Sequence, residues 1–245
     1  MLSDRLVAHR GYQKKYPENS LLGLSKAIEA GAHFLELDIQ FSADHAPLLY
    51  HDPMMRRISD MHQLISQLTL EQALDCPAFE PQRLGDTYQD EKIGSLAELV
   101  NLLLDNPHVN AFVELKSEAV EFLGIEKSYT VIDELLNPVV DQAILISFHA
   151  AFIQHVKQRA KYRTGIVGHA IEDLTSTQTK QLAPDYVFCD KELLPEGNLA
   201  DYPFILVVYE VDQPAEAQAL FDRGVDMVET FDIGGLLQGL GHMAL

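Results

Sequence analysis

The stretch from Val7 to Asp52 concentrates side chains able to do chemistry. His9 and Arg10 close a short apolar run, Pro17-Glu18-Asn19 makes a turn, Glu36 and Asp38 interrupt a second apolar run, and His51-Asp52 end a third. Imidazole titrates near neutral pH, a guanidinium fork matches paired oxygens, and carboxylates suit hard cations. A charge placed directly after a short apolar run is costly to bury unless it is partnered or metal-bound, so the clustering marks a site. Alternation along Phe34 to Gln40 puts Glu36 and Asp38 on one face of a strand, with Leu35, Leu37 and Ile39 on the other. Two carboxylates on one face repel each other, and a divalent cation is the commonest relief; a solvated edge or a lysine partner is the plainer alternative.

Four elements, His9-Arg10-Gly11, Pro17-Glu18-Asn19-Ser20, Glu36-x-Asp38 and His51-Asp52, are joined later by Val113-Glu114-Leu115-Lys116. In order and approximate spacing this set resembles the glycerophosphodiester phosphodiesterase family, and the likeness fades after Ser147. The resemblance implies hydrolysis of glycerophosphodiesters to glycerol 3-phosphate and an alcohol. Two rivals are a lipid-cleaving barrel of the phospholipase C or D kind and a non-catalytic barrel that binds a phosphorylated ligand. The second half departs from the family pattern. Ser147-Phe148-His149, Tyr209-Glu210-Val211-Asp212 and Glu229-Thr230-Phe231-Asp232 stand where the family often has Ser-Phe-Asn, Trp-Thr-Val-Asn and an ending in Thr-Asp or Thr-Asn. His149, Glu210 and Glu229 therefore carry no assigned role.

With that resemblance, Glu36, Asp38 and Glu114 are expected to ligate one divalent cation; an all-oxygen donor set suits Mg2+ or Ca2+. The alternative is an acidic network balanced by Arg10 and Lys116. His9 and His51 are expected to be the general acid and base, and Arg10 and Lys116 to bind the substrate phosphate. Glu18 could ligate metal, hold Arg10 or favour a helix dipole, and Asp52 could orient a histidine or hold its loop. No Ser, Cys or Thr in the motif stretch is placed as a nucleophile beside His9 or His51, which leaves water or a hydroxyl of the substrate as the attacker.

The elements that must position these groups alternate. Strand starts at Leu6, Phe34, Ala111, Ala143, Arg163, Tyr186, Phe204 and Asp226, with helices between most of them, predict an α/β fold, a single (β/α)8 TIM-type barrel over residues 1–245. Helices are expected at Ser20–Ala30, from a Ser95 cap to about Leu104, and at Glu118–Leu136, Ala150–Arg159, Pro214–Asp222 and Ile233–Gln238. A further apolar run, Ala46–Tyr50, delivers His51-Asp52. Residues 53–92 read as a small insertion after the second strand, irregular through Pro77, Pro81 and Gly85, with a short helix at Leu70–Leu74 and no core of its own. Asp190–Pro203 is too short and broken for a full helix. Barrels place chemistry at the C-terminal strand ends, which here carry His9, Glu36, Asp38, Glu114, Lys116, Ser147, His149, His169, Asp190, Lys191, Tyr209, Glu210, Glu229 and Thr230.

A net charge of −19 and a pI near 4.7 argue against nucleic acid and against stable association with an anionic membrane. An anionic substrate would then need local positive charge from the cation, Arg10 and Lys116. Cys76 and Cys189 make neither a disulfide framework nor a metal spacing, and the first residues lack a leader-like apolar run, so the expectation is a cytoplasmic protein. Oligomer contacts leave no readable trace.

Overall fold

The computed structural model of the chain describes residues 1–168 and 176–243; His169 lies outside the described residues. Among the described residues nine strands are formed: β1 Leu6–His9, β2 Phe34–Phe41, β3 Pro47–Leu49, β4 Asn110–Leu115, β5 Ala143–Ser147, β6 Arg163–Val167, β7 Tyr186–Asp190, β8 Ile205–Tyr209 and β9 Met227–Thr230. All except β3 are parallel and close in the order β1-β2-β4-β5-β6-β7-β8-β9, with β9 returning to β1. This is the expected eight-stranded barrel.

Around it run α1 Leu21–Glu29, α2 Leu96–Asp105, α3 Ser117–Leu123, α4 Ile125–Leu136, α5 Ala150–Arg159, α6 Thr177–Leu182, α7 Pro214–Asp222 and α8 Ile233–Met243. Ser20 caps α1 by accepting from the Gly23 N–H, and Ser95 with Glu98 forms a capping box on α2. The single helix expected over Glu118–Leu136 is two, because Gly124 sits between α3 and α4 with φ +84, a value its neighbours would resist. Between β7 and β8 only a 3₁₀ turn forms, at Lys191–Leu193.

Strand alternation separates two cores. Outward-facing Ala8, Leu35, Leu37, Val113, Leu145, Val187, Leu206 and Val228 pack under the helices in the main apolar cluster. Inward-facing Val7, Phe112, Ile144, Ile146, Val167, Tyr186, Phe188, Val207 and Met227 fill the barrel interior. One step further along the same inward register the filling turns polar: His9 follows Val7, Glu114 follows Phe112, and Glu229 follows Met227. The strands thus deliver acids and imidazole where the apolar plug ends.

The extra strand β3 has a geometric origin. β2 has eight residues and β1 only four, so the end of β2 outruns its neighbour, and β3 pairs antiparallel on the vacated edge through Ile39↔Leu49, Gln40↔Leu48 and Phe41↔Pro47. The run expected at Ala46–Tyr50 is therefore a strand outside the ring. The following segment differs from expectation in having an apolar cluster of its own, in which Leu48, Tyr50, Met55, Ile58, Ile65, Leu68 and Ile93 are buried. It docks on the Pro17-Glu18 turn: Glu80 accepts the Glu18 backbone N–H at 2.6 Å, and Arg83 bonds the Tyr16 carbonyl at 2.7 Å.

Candidate active site

The turn after β1 is fixed by close packing. Gly11 has φ +84, and a Cβ there would meet the Gly23 backbone at 2.8 Å, so α1 can approach the turn only because this residue is glycine. The next turn is pinned by Asn19, whose Nδ2 donates to Asp38 Oδ2 at 2.9 Å while its Oδ1 accepts the Asp38 N–H at 3.0 Å. One carboxamide thereby ties the Pro-Glu-Asn turn to the acidic strand.

Register then assembles the acids. Asp38 pairs with Glu114 across β2 and β4, and His9 with Glu36 across β1 and β2. Oxygens of Glu36, Asp38 and Glu114 all lie within 4.8 Å of one another, and all three residues are buried. Burial, with Asp38 and neighbouring carboxylates beside it, pushes Glu36 well above the usual carboxylate range and raises Glu114. Burial would raise Asp38 too, but the Arg10 and Lys116 charges outweigh it and hold that carboxyl low. Arg10 Nε lies 3.1 Å from Asp38 Oδ2, and Lys116 Nζ lies 2.8 Å from Glu114 Oε1 and 3.4 Å from Asp38 Oδ1. Both cations expected to bind phosphate are here paired with carboxylates. Two cations set against three buried acids leave the trio undercompensated, and Glu36 Oε1 has no hydrogen-bond partner. An all-oxygen cluster with an orphaned oxygen fits a hard divalent cation.

His9 stacks on Phe231 with ring centroids 4.8 Å apart, its Nε2 3.6 Å from Glu36 Oε2. Burial and then the Arg10 charge push the His9 imidazole well below its usual range. His51 is held differently: its Nδ1 is 2.6 Å from Asp52 Oδ1, and its carbonyl accepts from Gln40 Nε2 at 2.9 Å. The two imidazoles face one cavity of about 240 Å³ together with Arg10, Glu114 and Lys116.

The sequence reading missed Arg57. From the insertion its guanidinium bonds both oxygens of Glu18 at 2.7 Å and those of Asp52 at 2.8 and 3.2 Å. Glu18, which also accepts from Gln13 at 2.9 Å and from Arg10 at 3.3 Å, is thus a hub between cations. It is not part of the carboxylate cluster of Glu36, Asp38 and Glu114. Burial would raise both Glu18 and Asp52. The Arg57 bonds and Arg10 charge outweigh it at Glu18, as the His51 and Arg57 bonds do at Asp52, leaving each low. The signal for Arg57 was available as a charged residue five positions after Asp52, but an irregular segment gives it no strand or helix phase.

Several strand-end residues prove to hold the frame. Ser147 Oγ donates to the Leu115 carbonyl at 2.6 Å, His149 Nδ1 caps α5 by accepting from Phe152 N–H, Lys191 pairs with Glu216 at 3.1 Å, and Thr230 bonds Asp212 at 2.9 Å. Glu210 and Glu229 instead line the cavity, and each has an oxygen 3.8 or 3.9 Å from His9 Nδ1. No disulfide joins Cys76 and Cys189, both buried, and among the described residues no helix is long and apolar enough to cross a membrane.

A closed parallel barrel with a polar cleft at the C-terminal rim defines the chain as a TIM-barrel protein of the kind that works at that face. A sequence model of the glycerophosphoryl diester phosphodiesterase family matches residues 9–234, and the chain belongs to that family. A glycerophosphodiester phosphodiesterase of Caldanaerobacter subterraneus subsp. tengcongensis is 29% identical over 234 residues, covering 93% of each chain. Human glycerophosphodiester phosphodiesterase 1 is 32% identical over 153 residues, which span 62% of this chain and 45% of that protein. In fold, the chain is similar to a phosphodiesterase of Oleispira antarctica in complex with the product sn-glycerol-3-phosphate, with a TM-score of 0.82 at 20% identity, covering 97% of this chain and 96% of that one.

Proposed function

We propose that this chain hydrolyses glycerophosphodiesters to glycerol 3-phosphate and an alcohol, working as a cytoplasmic enzyme on a soluble diester. Family membership supports the reaction class, and one observation carries the assignment: two histidines and two basic side chains line a single cavity with Glu114, whose carboxylate clusters with buried Glu36 and Asp38. One divalent cation, Mg2+ or Ca2+, held by Glu36, Asp38 and Glu114, would supply Lewis-acid polarisation of a phosphoryl oxygen. Arg10 and Lys116 shift from their carboxylate partners toward the phosphate when it enters, and residues 53–92, an insertion in a single domain, shape the mouth.

The two histidines divide the proton transfers. One takes the proton from the glycerol hydroxyl next to the esterified carbon as that oxygen bonds to phosphorus. The other protonates the alcohol oxygen as its bond to phosphorus breaks. Water then opens the cyclic phosphate with the two roles exchanged. Phosphorus NMR of a small diester panel, with Mg2+ or Ca2+ and with chelator, tests this reading. Divalent-dependent appearance of glycerol 3-phosphate is expected; binding of diester without turnover in any metal would overturn it in favour of a ligand-binding barrel.

A further inference from the structure

The cavity has two chemically different walls. β1, β2 and β4 carry His9, the acidic trio and the basic pair, while β7 and β8 stand across the ring from β2 and β4. That second wall carries Phe188 on β7 and Tyr209 at the end of β8, with Glu210 and Glu229 at its junction with β1, whereas Phe148 follows β5 beside β4. Arg10 and Lys116, the basic side chains lining the cavity, belong to the first wall and are paired there.

Glu229 is the unusual member. It is 3% exposed, it lines the cavity, and its Oε1 has no hydrogen-bond partner, while Oε2 lies 3.9 Å from His9 Nδ1. A buried carboxylate oxygen facing an open cavity without a donor is costly unless a ligand brings one. Glu210, with a side chain 45% exposed, aims at the same His9 nitrogen from the solvent side at 3.8 Å. Aromatic faces attract cations through their quadrupole, and carboxylates attract them through charge. The Phe148 ring already has the Lys116 ammonium 5.7 Å from its centroid.

We propose that Glu210 and Glu229, with Phe188 and Tyr209 of the neighbouring strands, form a subsite for the ammonium group of a cationic leaving alcohol. This rests on the phosphodiesterase reading above and adds to it the class of diester preferred. Burial raises both Glu229 and Glu210, so a neutral polyol could hydrogen-bond them but brings no charge to favour their ionised forms, as an ammonium would, and an anionic alcohol is disfavoured beside them. The subsite lies beside His9, so an ammonium two carbons from the leaving oxygen reaches it while that oxygen stays within the reacting centre.

The test compares kcat/KM on glycerophosphodiesters of ethanolamine, choline, glycerol and a phosphate-bearing alcohol, at saturating divalent ion. The ammonium diesters are expected to lead the glycerol diester by about tenfold or more, the size of one desolvated cation contact, with the anionic diester slowest. Glu210→Gln and Glu229→Gln should each shrink the ammonium-to-glycerol ratio, mainly through KM, and Glu210→Lys should bring it below one. Equal rates on ammonium and neutral diesters, or a ratio that none of the three variants moves, overturns the subsite while leaving the phosphodiesterase reading intact. Failure to turn over any diester removes both. Calorimetric titration with Mg2+ alone separates the remaining possibility: a bound ion lost in Glu229→Gln would make that residue part of a metal site and overturn the proposal.

Discussion

Replacing Arg57 by Ala removes four hydrogen bonds to two carboxylates at once. Hydrogen bonds to charged groups contribute about 1.5–3 kcal/mol each in favourable cases, but these are not independent. The Arg57 side chain is 42% exposed and that of Asp52 25% exposed, so solvent screens the Asp52 half to about 0–1 kcal/mol. Glu18 is 1% exposed yet keeps Gln13 and Arg10 as donors. The expected loss is therefore about 2–3 kcal/mol, or about 4–12 °C in Tm for a domain of this length. Glu18 and Asp52 both have folded pKa values below their unfolded ones, so their stabilisation is present above pH about 4 and is lost as pH falls through the folded values. Arg57→Ala should accordingly move acid unfolding to higher pH. Catalysis should suffer through His51, because Asp52 loses the cation that fixes it; a kcat drop of about tenfold is expected, a fraction of what a positioned acid or base supplies. Arg57→Lys, with charge but no fork, should recover stability only in part. Calorimetry, circular dichroism against pH and steady-state kinetics measure all of this. A Tm within about 1 °C of wild type together with an unchanged kcat would refute the reasoning.

Glu36→Gln, Asp38→Asn and Glu114→Gln should each lose the thermal stabilisation that divalent ions give, about 2.7 kcal/mol at a hundredfold excess over Kd; a variant with a wild-type shift is not a ligand. His9→Ala and His51→Ala should lower kcat by about 100-fold or more, and near-normal turnover in either removes that residue from the proton transfers. A diester lacking the neighbouring hydroxyl should bind but react far more slowly, since an intramolecular attack worth up to ~7–11 kcal/mol is forfeited; comparable kcat would assign the attack to water.

The barrel was legible because parallel strands covered on their outer face by helices are often nearly continuous apolar runs, as in Ala143–Ser147 and Ile205–Tyr209, while Phe34–Gln40 is legible by its strict alternation. Glu36, Asp38, His9 and Glu114 were legible as polar interruptions at the ends of such runs. Gly124 was visible as a residue but not as a break, since a glycine within helical spacing is tolerated unless its φ turns positive. The role of β3 depends on the difference in length between β1 and β2, which no local pattern reveals. Arg57 and the apolar cluster of the insertion were hidden for a common reason. The segment folds as one-turn helices, among them Arg56–Ser59, which are too short to show a period, so its buried residues cannot be told from exposed ones by spacing.

That apolar cluster gives the segment after β3 an energetic life of its own. Ten buried residues hold it together, it is separate from the larger cluster beneath the helices, and polar bonds from Glu80, Arg83 and Arg57 dock it on the barrel. Segments with few apolar contacts open at lower free energy than the body they cover. His51 and Asp52 enter this segment directly from β3, whereas His9, Glu36 and Glu114 sit on ring strands. Rising denaturant should therefore silence turnover while the barrel's secondary structure is still intact, and amide hydrogens of Met55 to Ile93 should exchange ahead of those in the ring.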